Sequence, residues 1–462
     1  MFFALFLVIQ CLSLVDVHDG LCLSEQKPKQ LRVALRGANA VTVSWSTNSF
    51  FGINQVANAR VEYSTDAGLV GAVRATGTSR NYNLLSFFHD VPVLNLAAST
   101  RYYYRVVASG CVQQSDIRSF RTPPAAGSQE PLNVTYVADV GNDNLLNGGG
   151  ATRTINALRA IAPSTNFFIH PGDISYADDY GVLLPFEFYE EAWNKWQDNM
   201  EEITSNNIYM TGPGNHEVTC FQVTDAVCPA NYKNFSAYLH RFRMPGDESN
   251  GFKNLWYSFD YGMVHMIFIN TETDFPNAPS GPGTALNGGN FLGLSGQLQW
   301  LENDLQQAVA NRGQVPWIVV AGHRPFFGSQ PKGSSLVSLF GAAPICDSCR
   351  NAFQSLLRQY NVDLYLAGHV HWYERLFPVD ENGNKLSESY VNPPGPVFII
   401  NGAGGAPEGA AQIDTTIAAS AKIVTGFGYS KLQFKDASNL RVSFVSSDTN
   451  QEVDAVDIVR DR

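Results

Sequence analysis

Five short segments constrain this chain more than any other feature: Asp139-Val-Gly141, Gly172-Asp-Ile-Ser-Tyr176, Gly214-Asn-His-Glu217, Val320-Ala-Gly-His323 and Gly368-His-Val-His371. Each follows or ends an apolar run that reads as a buried strand. Each also sets an oxygen or imidazole side chain beside a glycine, where the backbone turns sharply and leaves room for a bound ion. Singly, each has an ordinary explanation: Asp139 caps a helix, Gly172-Asp173 and Gly214-Asn215 are turn dipeptides, Tyr176 packs in a core, and His323 is an interior hydrogen-bonded histidine. Jointly, Asp139, Asp173, Tyr176, Asn215, His323, His369 and His371 have no common explanation in folding. They call for a mixed α/β domain whose strand ends converge on one place.

The donor chemistry narrows what would bind there. Carboxylate, phenolate and amide oxygens with imidazole, and no thiolate, suit hard or borderline ions such as iron, manganese or zinc. Seven donors exceed one tetrahedral site, so two adjacent ions sharing a bridging carboxylate are the economical reading. His369 and His371 are two residues apart, so in an extended segment both imidazoles face one cluster and serve different ions.

The rest of the chain supplies a frame. With 44% hydrophobic and 16% charged residues in 462, it is expected to fold, and a net charge of -11 without a basic run argues against nucleic acid as a partner. The apolar stretch Met1–Val15 fits a cleaved secretory signal within residues 1–23, with a buried strand or an uncleaved anchor as the alternative, and no membrane partner is expected. Residues 24–124 alternate with strand period, as in Leu31–Leu35, Ala40–Trp45 and Arg101–Val107, and read as an all-β sandwich. A Pro-, Gly- and Ala-rich linker then leads into an α/β domain at 131–462. Its expected strands are Asn133–Ala138, Asn166–His170, Ile208–Thr211, Met263–Asn270, Pro316–Ala321, Asp363–Ala367 and Val397–Asn401, with alternating strands again after Gly426. Its clearest helix is Ser295–Asn311, with Ser295 as N-cap. Disulfides are expected at Cys220–Cys228 and Cys22–Cys111, while Cys346 and Cys349 form a local bridge or take separate partners. Of the sequons at Asn133 and Asn234, only Asn234 is expected to carry glycan, because Asn133 reads as part of a buried strand.

The motif blocks closely resemble those of the purple acid phosphatases, within the calcineurin-like metallophosphoesterases. Gly172-Asp-Ile-Ser-Tyr-Ala-Asp178 and Gly368-His-Val-His-Trp-Tyr-Glu-Arg375 are similar to the larger, plant-type members. The resemblance implies a fibronectin type III-like sandwich followed by a βαβαβ-built, two-sheet phosphoesterase domain. It implies ferric iron on Asp139, Tyr176 and His371, and a divalent iron, zinc or manganese on Asn215, His323 and His369, with Asp173 bridging. His216 would contact the substrate phosphate and protonate the leaving oxygen. The implied activity is that of a secreted or lysosome-like acid phosphatase that hydrolyses small phosphate monoesters by attack of metal-bound hydroxide. A phosphodiesterase or nucleotide pyrophosphatase using the same centre is the alternative, and a non-catalytic secreted binding protein a more distant one. The chain departs from the plant-type pattern after His323, where Arg324-Pro-Phe-Phe-Gly-Ser-Gln330 lacks a further histidine pair. His170 and His265 are expected to be structural.

Overall fold

The computed structural model describes residues 26–49, 56, 58–180, 187–221, 225–279, 289–332 and 343–461. The leader Met1–Val15, Cys22 with its expected bond to Cys111, and parts of the loops 271–293 and 330–345 lie outside these residues.

The N-terminal strands are β1 (Lys29–Gly37), β2 (Ala40–Asn48), β3 (Arg60–Ser64), β4 (Val73–Thr76), β5 (Thr78–Arg80), β6 (Ser86–Val93), β7 (Arg101–Val106) and β8 (Arg118–Arg121). They form one sheet ordered β4-β3-β7-β8 and another ordered β1-β2-β6-β5. Val33, Leu35, Val41, Val43 and Trp45 are fully buried. Gln30 and Arg32 are buried as well. The Gln30 amide reaches Asp198 on the helix Glu187–Thr204 (3.0 Å), which covers that part of the sheet.

Three parallel strands follow, β9 (Leu132–Tyr136), β10 (Phe167–Pro171) and β11 (Ile208–Gly212). Strand β11 also pairs in parallel with β1, at Val33 opposite Ile208, so the sandwich sheet runs on into the sheet of the second domain. Next come β12 (Tyr257–Tyr261), β13 (Val264–Phe268), β14 (Trp317–Ala321), a two-residue β15 (Gln330–Pro331), β16 (Leu364–Ala367), β17 (Tyr373–Leu376), β18 (Val397–Asn401), β19 (Ile413–Thr415) and β20 (Ser420–Val424). The chain closes with β21 (Gly428–Phe434), β22 (Asn439–Ser446) and β23 (Glu452–Val459). Among the described residues a ten-stranded sheet reads β23-β22-β21-β9-β10-β11-β1-β2-β6-β5, and a seven-stranded one β12-β13-β14-β16-β18-β17-β20. The two face each other through aromatic contacts, including Phe167 on Tyr261 (centroids 4.6 Å apart) and Tyr373 on Phe444 (4.5 Å). Strands β10, β11, β14 and β18 are buried along their whole length, which is why they read as continuous apolar runs.

The main helices are α1 (Gly150–Ile161), α2 (Glu187–Thr204), α3 (Ser236–Arg241), α4 (Gly296–Ala310) and α5 (Asp347–Gln359). Helix α4 is the expected one. Ser295 occupies its N-cap position, but its hydroxyl makes no capping bond, and the preceding Leu294 is exposed. Cys220 bonds to Cys228, and Cys346 to Cys349 at the start of α5. Asn133 is exposed at the start of β9, which corrects the expectation that it is buried: Leu132, Val134 and Tyr136 take the inner positions and Asn133 turns outward. Asn234 is exposed too.

His265, on β13, joins layers. Its Nδ1 lies 2.7 Å from Asp260 on β12 and its Nε2 2.9 Å from Asp304 on α4. Burial works to lower its pKa, but the two carboxylate hydrogen bonds outweigh burial and push it up to about 9. A raised folded-state value gives stabilisation that is complete below the unfolded pKa near 6.5 and fades as pH rises through about 9. His265→Gln is therefore expected to cost about 3 kcal/mol in chemical denaturation at pH 6, with the gap from wild type closing by about pH 10. A cost independent of pH would show that the imidazolium charge is not what stabilises.

Candidate metal centre

All seven expected donors lie in loops at the C-terminal ends of parallel strands. Asp139 follows β9, Asp173 and Tyr176 follow β10, and Asn215 follows β11; His323 follows β14, and His369 and His371 follow β16. The first three loops belong to one sheet and the last two to the other, so the centre sits where the C-terminal ends of interior strands from both sheets meet. The backbone is forced there. Asp139 (φ 58°), Asp173 (φ 51°), Tyr176 (φ 54°) and His369 (φ 70°) are left-handed, a conformation that non-glycine residues hold only when their surroundings impose it. Gly172 (φ 98°) has no substitute: a β-carbon there would lie 2.6 Å from both the Gly214 nitrogen and His323 Nδ1.

The donors form two adjoining groups. In one, the Tyr176 hydroxyl donates to Asp139 (3.1 Å) and lies 3.1 Å from His371 Nε2. In the other, His323 Nε2 is 3.0 Å from Asp173 Oδ2 and 3.2 Å from Asn215 Oδ1, and Asp173, His323 and His369 each bring a donor atom within 4.8 Å of the others. The His369 backbone N–H, donating to Asp139 (2.9 Å), ties the groups together. Ring orientation is set by backbone carbonyls. His371 Nδ1 donates to Gly409 and His323 Nδ1 to Pro171 (3.1 Å each), which turns both Nε2 atoms inward. His369 is reversed: its Nε2 donates to the Ala343 carbonyl (3.1 Å), leaving Nδ1 for the centre.

Asp139, Asp173, Tyr176, His323, His369 and His371 are all buried, and Asn215 is half-buried. Burial, offset in part by His323, pushes Asp139 up to about 6. Asp173 is held below the usual carboxylate range because His323 and His216 outweigh burial, and Asp173 in turn lifts His323 to about 9. Burial and then the neighbouring carboxylates Asp139, Asp173 and Glu408 hold the Tyr176 phenol well above its ordinary value. Such a phenol ionises only against a strongly charged cation. Two buried carboxylates, a phenol, an amide and three imidazoles directed at one small volume therefore fit a pair of hard or borderline ions.

His216 lies beside this group. Its backbone N–H donates to Asp173 (3.0 Å), its Nδ1 is 2.8 Å from Asp178, and its ring lies against Tyr176 (centroids 4.2 Å apart). Burial works to lower its pKa, but Asp178, Asp173 and Asp179 together raise it well above the ordinary value. Among the described residues its ring makes no hydrogen bond to Asn215 or Glu217. His170 bonds Tyr209 (2.9 Å) and takes no part in the donor groups.

Sequence reasoning missed three supports. Glu217 accepts the backbone N–H groups of Asp173, Ile174 and Gly214 (2.8, 2.9 and 2.8 Å), which clamps two donor loops together. Asp178 holds His216. Glu272 and Arg324 pair behind His369. The Gly214-Asn-His-Glu217 and Tyr176-Ala-Asp178 spacings carried a signal for the first two, whereas nothing linked Glu272 to Arg324.

The family profile described as calcineurin-like phosphoesterase matches residues 132–373. That of the purple acid phosphatase N-terminal domain matches 28–122, and that of the iron/zinc purple acid phosphatase-like protein C matches 395–455. Acid phosphatase A of Cryphonectria parasitica is 32% identical over 93% of this chain and 91% of its own length. Acid phosphatase type 7 of Mus musculus is 30% identical over 94% and 91%. Among solved structures, a purple acid phosphatase from yellow lupin (Lupinus luteus) seeds superposes with a TM-score of 0.73 at 21% identity, covering 94% of this chain and 75% of that one, which speaks to the fold alone.

Proposed function

The chain belongs to the purple acid phosphatases, acid phosphatases of metallohydrolase type, and from that premise we propose that it is an exported enzyme hydrolysing small phosphate monoesters. Asp139, Tyr176 and His371 would hold ferric iron, and Asn215, His323 and His369 a divalent iron, zinc or manganese. Asp173 would lie between the two. When bound, the pair would supply Lewis acidity, neutralising phosphate charge and making a nucleophile from water in acid. The observation that carries this reading is the Tyr176 phenol wedged between Asp139 and His371, since a hard anionic oxygen at that place selects a trivalent ion.

The protein's own groups would do the rest. His216, with Nδ1 fixed by Asp178 and its ring against Tyr176, keeps a proton on Nε2 for the leaving oxygen. Glu217 keeps the Asp173 and Asn215 loops in register, so the donors are set before substrate arrives. The disulfides Cys220–Cys228 and Cys346–Cys349 and the exposed sequons at Asn133 and Asn234 support an oxidising, exported setting. No helix among the described residues is long and apolar enough to cross a membrane.

Rates on a phosphate monoester and on a diester of the same alcohol test the substrate class. The monoester is expected to be favoured by about 100-fold or more in kcat/KM. Faster turnover of the diester would replace this reading with that of a phosphodiesterase.

A further inference from the structure

We propose that Asn133 carries an N-linked glycan whose first sugars lie in the cleft between the sandwich and the α/β domain. The inference rests on the exported setting proposed above. It concerns the sequon whose expected burial the structure corrects.

Asn133-Val-Thr135 lies at the start of β9. Val134 and Thr135 are buried there and Asn133 is exposed, its Nδ2 donating over a long 3.4 Å to the Ser164 carbonyl. A sugar on Nδ2 leaves that nitrogen one proton, so this bond can persist. The Thr135 hydroxyl is buried 3.0 Å from that of Thr165, so the whole sequon is accessible only before the chain folds. Transfer is therefore assigned to the nascent chain, from a lipid-pyrophosphate-linked oligosaccharide. The bond from its anomeric carbon to the phosphate oxygen breaks, a carbon–nitrogen bond to Nδ2 forms, and the departing phosphate takes the amide proton.

What Asn133 opens onto sets it apart from an ordinary exposed sequon. It lines a cleft of about 490 Å³, a size suited to a small ligand. Arg101 on β7 and Arg121 on β8 stand on the sandwich side, and Arg159 at the end of α1 faces the cleft with Asn166 and Asn206 on the other. The walls are fixed to each other, since the Ser119 N–H donates to Asn206 Oδ1 (3.2 Å) and the Tyr104 hydroxyl to the Ser205 carbonyl (2.8 Å). The charges favour a neutral sugar over an anion: Glu130 pairs with Arg121 (3.0 Å) and Glu202 with Arg159 (2.6 Å). Arg101 donates to the Ser119 hydroxyl (3.1 Å). Guanidinium and amide N–H groups suit sugar hydroxyls and an N-acetyl carbonyl. The cleft adjoins the N-terminal ends of β9, β10 and β11, whereas the metal centre lies at their C-terminal ends, so a glycan here leaves the centre open.

The full chain is produced in a eukaryotic secretory host, and glycopeptide mapping of the protein recovered from the medium reads each sequon. Asn133 is expected to be occupied, and Asn133→Gln to lose the mass of one glycan. Release of that glycan from the native protein by an endoglycosidase then tests where it lies. Release is expected to be about tenfold faster from Arg101→Ala than from wild type, because a sugar held in the cleft must detach before it is cut. A bare Asn133 in exported protein would overturn the modification site and leave the export reading intact. Equal release from wild type and Arg101→Ala would overturn the placement in the cleft. A chain that keeps its leader and never reaches the medium would overturn the export reading, and this inference with it.

Discussion

Asp173→Ala is expected to abolish activity, with kcat/KM falling by more than about 1,000-fold, and to strip the protein of at least one ion per chain. The carboxylate is buried, faces His323 Nε2 at 3.0 Å, and accepts the His216 backbone N–H at 3.0 Å, so it touches loops from both sheets. His323 and His216 keep it ionised against its burial. Without it, two cations would face each other with no anion between them. Asp173→Asn separates charge from shape, because asparagine tolerates the left-handed backbone at this position and can still accept the His216 N–H. The asparagine variant is expected to fold normally, by circular dichroism and thermal melting, and to be as inactive as the alanine one. If it kept two ions and normal turnover, Asp173 would not lie between the ions.

His216→Ala is expected to keep both ions and the colour but to lower turnover by about 100-fold or more. The ring makes no hydrogen bond to the donor Asn215 among the described residues, and its anchor is Asp178 at 2.8 Å, so its loss should not release metal. The leaving group then reads out the role. An alkyl phosphate needs its departing oxygen protonated, whereas nitrophenolate leaves with little help, so the loss should be large for the first and small for the second. Asp178→Asn should reproduce the same pattern more weakly, since it removes the carboxylate that anchors the ring and raises its pKa. Equal losses on both esters with full metal occupancy would exclude proton donation. Loss of the divalent ion, restored by adding metal, would mean that His216 serves Asn215 instead.

What could be read from the sequence follows from where each signal resides. The donor loops were legible because an ionisable side chain beside glycine at the end of an apolar run is a local pattern. Their meeting point was not, since Asp139 and His369 are brought together by strands of two different sheets. Helix α4 was visible through its leucine spacing, while α5 passed unnoticed although Cys349, Phe353 and Leu357 recur every four residues on its buried side. The inability of Ser295 to cap and the outward turn of Asn133 depend on backbone angles and strand facing that composition does not encode. Glu217 and the Glu272–Arg324 pair were invisible for a similar reason. A buried carboxylate is recognised only when its distant partners are known, and Glu272 and Arg324 meet because β13 and β14 are neighbours.

The central claim is that Tyr176 serves as a ligand to ferric iron in a two-ion centre. Metal analysis and the visible spectrum of the purified protein, set beside Tyr176→Phe, test it most directly. The account predicts two ions per chain including iron, a broad visible band in the wild type, and loss of that band in a Tyr176→Phe protein that still folds. A wild-type protein holding two ions but no iron and no colour, or a band that survives in Tyr176→Phe, would contradict it.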